Sequence, residues 1–222
     1  MNNFVADIAR NWIRENEVVD EGFGNAKFSD NVVVLVQGYA RSVKPMAWHL
    51  RKPLEDEGFN VFVFNPGPTI NKKIEDLSEA LSVFIERVCC EAEVAHVSLV
   101  AHSMGGLVSL YYLEKLGGYK RINKVITAGT PFYGTRVAYL GLHTQAARQM
   151  IPKSKFLQIL LKDLNYANKV VSVRTRQDQT IKPQTSSILP GARNIEVGGM
   201  GHVALIRSDD FFEVIKKELK LA

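Results

Sequence analysis

The apolar residues of this chain fall into short unbroken runs, separated by stretches where they recur every three or four positions. Six runs read as strands: Val32 to Val36, Val61 to Phe64, Val97 to Val100, Val125 to Thr127, Val170 to Val173 and Ile195 to Val197. They do not alternate with polar residues, so both faces of each strand must be covered, as in a parallel sheet. Between them the spacing becomes helical. Leu77, Leu81, Phe84, Ile85 and Val88 share a helix face before the third strand. Leu107, Leu110, Tyr111 and Leu113 share another after it, with Gly117-Gly118 as the stop. Phe211, Val214, Ile215 and Leu219 mark a last helix. Ala47 to Glu57 predicts one that Pro53 should kink or break, and Phe4, Ile8, Trp12 and Ile13 predict a short helix packed on the body.

Strand–helix alternation predicts an α/β domain with a minimal six-stranded, mainly parallel sheet and helices on both faces. At 222 residues, the chain 1–222 is expected to form a single domain. Residues 131–169 exceed what one crossover requires and carry a second helical pattern at Phe156, Leu157, Leu160, Leu161 and Leu164. Part of this insertion is a candidate cap or lid.

A hydrophobic fraction of 46% supplies a core, and the longest apolar runs are too short to span a bilayer. The net charge is +5, spread along the chain with no basic stripe interleaved with aromatics, so no nucleic-acid partner is expected. A weak preference for anionic surfaces, including transient contact with a membrane surface, stays open. Adjacent Cys89-Cys90 offers neither a disulfide framework nor metal-ligand spacing, and dinucleotide and phosphate-loop patterns are missing. Neither metal nor cofactor is expected. Without a basic start and apolar core at the amino terminus, a cytoplasmic location is expected.

The third strand ends in Leu99-Val100-Ala101-His102-Ser103-Met104-Gly105-Gly106, with a helix at once behind it. A serine on such a tight strand-to-helix turn projects its hydroxyl from the sheet edge, and small neighbours keep adjacent backbone clear. A hydroxyl needs a base, and a base needs an orienting acid. Downstream histidines are His143, inside the insertion, and His202, after the last strand in Gly198-Gly199-Met200-Gly201-His202. The latter placement suits a base. Glu114, Asp163 and Glu196 lie on helices or a strand, whereas Asp178 follows the fifth strand on a carboxyl-end loop and suits the acid. Backbone N–H groups of Met104 and of Tyr39, after Gly38, are the expected oxyanion donors. Pro131, Phe132, Tyr133, Tyr139, Leu140 and Leu142 offer an apolar wall, of which Phe132, Tyr133, Tyr139 and Leu140 are expected to touch substrate. His102, His96 and His49 are expected to be structural or surface residues.

Four stretches give the chain a resemblance to the α/β-hydrolase superfamily, and within it to small bacterial lipases and serine esterases: residues 32–39, 97–106, 126–135 and Gly201-His202. The resemblance implies the α/β-hydrolase fold, with Ser103 as nucleophile, Asp178 as acid and His202 as base. Members usually carry histidine before the oxyanion-loop glycine; here Gln37 stands there, able to hydrogen-bond and order the loop. Ala101 replaces the first glycine of the elbow. The implied activity is hydrolysis of small-molecule or lipid esters through an acyl-serine. An acyltransferase with the same triad, or a binding protein that keeps only the fold, remain alternatives.

Overall fold

The structure is a computed structural model that describes residues 31–39, 44–67, 69 and 71–220. The expected helix at Phe4 to Ile13 lies outside them. The strands are β1 (Val32–Val36), β2 (Asn60–Phe64), β3 (Val97–His102), β4 (Ile122–Ala128), β5 (Val170–Thr175) and β6 (Arg193–Val197). They form one sheet in the order β2-β1-β3-β4-β5-β6, and every pairing in it is parallel. Seven α-helices are described: α1 (Lys44–Asp56), α2 (Ile74–Glu91), α3 (Met104–Lys115), α4 (Gln145–Met150), α5 (Lys155–Leu161), α6 (His202–Leu205) and α7 (Asp209–Leu219).

Side-chain alternation along buried strands divides the core in two. Val32, Val34 and Val36 of β1 pack with Leu77, Leu81 and Ile85 of α2 and Leu107 of α3. Val33 and Leu35 face the other way, against Met46, Leu50 and Leu54 of α1 and Phe211 and Ile215 of α7. Each fully buried aliphatic side chain contributes about 1.5–3 kcal/mol, so both layers hold the sheet firmly. α3 lies between the sheet and the outer helices and is buried along most of its length.

Pro53 does not break α1; it sits inside the helix, which ends at Asp56. The hydrogen bond it forgoes belongs to the carbonyl of His49, an exposed residue, so water can take the place of the missing amide.

The chain runs from β1 to β2 at one edge, then returns past β1 to β3 on its other side. Connections leaving the carboxyl ends of β1 and β3 therefore diverge, and a crevice opens between them.

Candidate active site

At the head of that crevice β3 passes directly into α3 through Ser103, whose backbone sits at φ 55°, ψ −125°. A side chain held at such angles stores about 1–3 kcal/mol of strain, and hydrogen bonds on both sides keep it there. The Ser103 amide donates to the Ala128 carbonyl at 2.8 Å. The Ser103 carbonyl accepts from Thr130 Oγ1 at 2.9 Å and from the Gly106 amide at 3.0 Å.

Two glycines let the loop after β1 lie against this turn. A Cβ on Gly38 would come 2.6 Å from the His102 carbonyl oxygen and 2.9 Å from Ser103 Cβ; one on Gly105 would come 2.4 Å from the Val36 carbonyl oxygen. All three contacts are shorter than side-chain carbons tolerate. The Gly38 carbonyl accepts from Thr69 Oγ1 at 3.0 Å. In a trans peptide the following N–H points opposite to that carbonyl, so Thr69 also fixes the direction of the Tyr39 amide. Neither the Tyr39 nor the Met104 N–H is taken by a backbone carbonyl among the described residues. Gln37 does not supply the ordering bond expected of it through its side-chain oxygen: Oε1 is buried with no hydrogen-bond partner among them. Thr69 orders the loop instead, across 31 residues of sequence.

Asp178 is on the loop after β5 and is buried. Its Oδ1 accepts from the Thr180 and Ile181 amides, each at 2.8 Å, and its Oδ2 accepts from His202 Nδ1 at 2.7 Å. Burial alone would raise the Asp178 pKa. The bonds to His202, Ile181 and Thr180 outweigh it and hold the carboxyl below the ordinary aspartate value. An ionised carboxylate only accepts, so the proton of neutral His202 belongs on Nδ1, leaving the lone pair on Nε2. His202 is the first residue of α6 and is itself buried.

Behind this pair lies His102, the residue before the elbow serine. Its Nε2 bonds the His202 carbonyl at 3.3 Å, and the two rings stand 4.7 Å apart. Burial, with His202 beside it, pushes the His102 imidazole down to about 3. It is therefore neutral at ordinary pH, and as a single-proton ring it can donate through Nε2 to that carbonyl.

Ser103, His102, His202, Gln37 and Tyr39 line one cavity of about 510 Å³. Its walls are mainly apolar, with Val137, Ala138, Leu140, Ala147 and Met150 from the insertion, and Ile181, Val203 and Ile206 from later in the chain. Of the four residues expected to touch substrate, only Leu140 lines it. Phe132 is fully buried in the core, while Tyr133 and Tyr139 are exposed. The geometry explains the division. Residues 131–134 form a turn closed by the Gly134 amide on the Pro131 carbonyl, which sends its two central side chains to different sides. Arg136–Gly141 is a 3-10 helix, so Val137 and Leu140, three apart, share the inward face and Tyr139 does not. Tyr39 reaches across to the insertion, its hydroxyl 3.2 Å from Thr144 Oγ1.

Two of the other carboxylates weighed from sequence are engaged elsewhere, and the third, Asp163, is exposed. Glu114 accepts from the Asn165 and Tyr166 amides, and Glu196 pairs with Arg174 and Arg176. His143 is in the cavity wall, whereas His49 and His96 are exposed away from it. Among the described residues no cluster of three or more His, Cys, Asp or Glu could hold a metal ion, and no helix is long and apolar enough to cross a membrane.

A family described as alpha/beta hydrolase fold matches residues 31–149. Among solved structures, the mature form of the Bacillus licheniformis lipase BlEst2 superimposes with a TM-score of 0.74 at 17% identity, over 85% of this chain and 91% of that one. Aspergillus fumigatus lipase B gives 0.66 at 21% identity over 79% of this chain and 46% of that one. A bromoperoxidase from Bacillus anthracis gives 0.62 at 19% identity, over 90% and 94%. At these identities the likenesses concern the fold alone. The family match spans more than half of the chain and coincides with the elbow, the loop after β1 and the parallel sheet: the protein belongs to the alpha/beta hydrolase fold family.

Proposed function

We propose that the protein is a serine hydrolase acting on carboxylic esters, in the manner of a lipase or esterase. The observation that carries this reading is that His202, buried and bonded to Asp178, lines the same cavity as a serine held at a strained elbow. A binding protein has no physical need for that combination.

In the proposed reaction His202 Nε2 takes the proton of Ser103 Oγ as this oxygen attacks the ester carbonyl. The Met104 and Tyr39 amides receive the developing oxyanion, a contribution worth about 10²–10³ in rate for each donor. His202 then gives its proton to the departing alcohol, and the acyl group stays on Ser103. A water deprotonated by His202 attacks the acyl-serine, and the proton returns to Ser103 as the carboxylic acid leaves. Asp178 keeps the imidazole in the accepting tautomer and offsets its positive charge at each transfer. The apolar walls of the cavity suit an aliphatic acyl chain.

A fluorophosphonate tests the reading without any guess about substrate. Intact-mass analysis should show one adduct on the wild type and none on Ser103→Ala. Folded wild-type protein that stays unlabelled would sink it. Alcohol added to the ester assay separates hydrolysis from acyl transfer: a dominant new ester product would favour the acyltransferase.

A further inference from the structure

We propose that the insertion around the cavity mouth docks the protein onto an anionic lipid bilayer. No aspartate or glutamate stands between Glu114 and Asp163, while Arg136, Arg148, Lys153, Lys155 and Lys162 fall within that stretch and are all exposed. Other cations are paired with carboxylates, Arg121 and Lys124 of the same stretch among them: Arg121 with Glu86, Lys124 and Arg193 with Glu218, Lys216 and Lys220 with Glu57. Among the described residues none of the ion pairs involves a residue between 125 and 173. Among the described residues no ion pair thus takes up the positive charge of this segment, although Glu75 lines a groove beside Arg148 and Lys155.

The same segment leaves aliphatic groups in water. Leu140 is 85% exposed although it lines the cavity, and Leu142 and Tyr139 beside it are exposed too. Val203, which also lines the cavity, is half exposed. Arg148 is tied into this rim, its Nη1 donating to the Leu142 carbonyl at 2.8 Å. It also lines a neighbouring groove of about 470 Å³ with Lys73, Lys155 and exposed Ile159; the acid there, Glu75, is bonded to Gln149. Cations and aliphatic side chains side by side match a bilayer of anionic lipid, where phosphates meet the former and acyl chains the latter. A nucleic acid would satisfy the cations but leave Leu140 and Leu142 in water. Docked in this way, the cavity mouth faces the lipid directly.

Docking depends on where the cavity opens and not on which bond is cleaved, so the inactive Ser103→Ala chain serves to test it. Flotation with vesicles of phosphatidylcholine alone, and of phosphatidylcholine mixed with phosphatidylglycerol, gives the partition coefficients. Binding is expected to the mixed vesicles, falling with added salt. Each surface cation contributes a factor of about five, so Arg136→Gln/Lys153→Gln/Lys155→Gln should lower partitioning about a hundredfold. Its melting temperature, read alongside, should stay within a few degrees. Leu142→Asn should weaken binding without altering its salt dependence. Equal partitioning to both vesicle types, no effect of the triple variant, or capture of an oligonucleotide in place of vesicles would overturn the proposal.

Discussion

Replacing Asp178 by asparagine changes one atom of the site, and the surrounding loop decides how the imidazole responds. The Thr180 and Ile181 amides both point at Oδ1. They need an acceptor there, so the new amide must keep its oxygen at that place and turn its NH₂ toward His202 Nδ1. The flipped arrangement would face an NH₂ with two N–H donors and cost about 1–3 kcal/mol for each donor left unsatisfied. In the favoured orientation the NH₂ needs an acceptor, and the imidazole supplies one by moving its proton from Nδ1 to Nε2. In the proposed mechanism His202 can then no longer take the Ser103 proton. A tautomer inversion of this kind lowers kcat about 10⁴-fold. Because the loop keeps both bonds, stability should fall by only about 1–3 kcal/mol. Asp178→Ala removes the acceptor altogether and should cost more. The measurements are kcat on a soluble ester, the rate of fluorophosphonate labelling, and urea unfolding of both variants. A folded Asp178→Asn protein with kcat within tenfold of the wild type would refute the tautomer argument.

Thr69→Val keeps shape but removes the bond to the Gly38 carbonyl, and should lower kcat at least tenfold with a smaller change in KM, since in the proposed mechanism the loosened peptide carries an oxyanion donor; an unchanged kcat would show the peptide is held without it. Ser103→Gly and Ser103→Ala should both lack turnover, with the glycine variant about 1 kcal/mol or more stabler in urea because its backbone accepts φ 55° without strain. Equal stabilities would mean the elbow stores none. His102 is held neutral in the folded state but protonates near 6.5 when unfolded, so the unfolded chain binds the extra proton as pH falls. Stability should therefore be complete above about pH 6.5 and decline below it, by up to about 1.4 kcal/mol per pH unit. Between pH 6.5 and 5, above most carboxylate titrations, that slope should vanish in His102→Gln; a slope that survives the substitution would place its origin elsewhere.

Legibility in the sequence tracked the range over which each interaction acts. The β1 run, Val32 to Val36, is buried throughout, and a continuous aliphatic run reports that directly. β3 extends past its aliphatic run because Ala101 and His102 complete the strand that presents Ser103. β6 begins at Arg193, two residues before the expected Ile195, since an edge strand exposes side chains and needs no apolar signal at its start. The Ser103, His202 and Asp178 positions could be selected because each comes after a strand at the same sheet edge. Their supports could not. Thr69 meets Gly38 through a side chain on a distant loop, and no local pattern announces such a contact. The insertion was the least legible part. Aromatic residues there suggest a wall, but the turn at 131–134 and the 3-10 helix at Arg136–Gly141 decide which side chains turn inward.

The interlock of Gly38 with the His102 carbonyl and of Gly105 with the Val36 carbonyl has a consequence for heredity as well as for chemistry. Each glycine sits where the other loop's backbone already occupies the space for a side chain. A substitution at either one displaces both strand ends, so no single change can enlarge or reshape this junction without disturbing the serine. Variation that adjusts what the cavity accepts must therefore accumulate at positions such as Val137, Leu140, Met150 and Val203, which line the walls without bearing on the junction. The walls of the cavity can drift while the junction that holds Ser103 stays where it is.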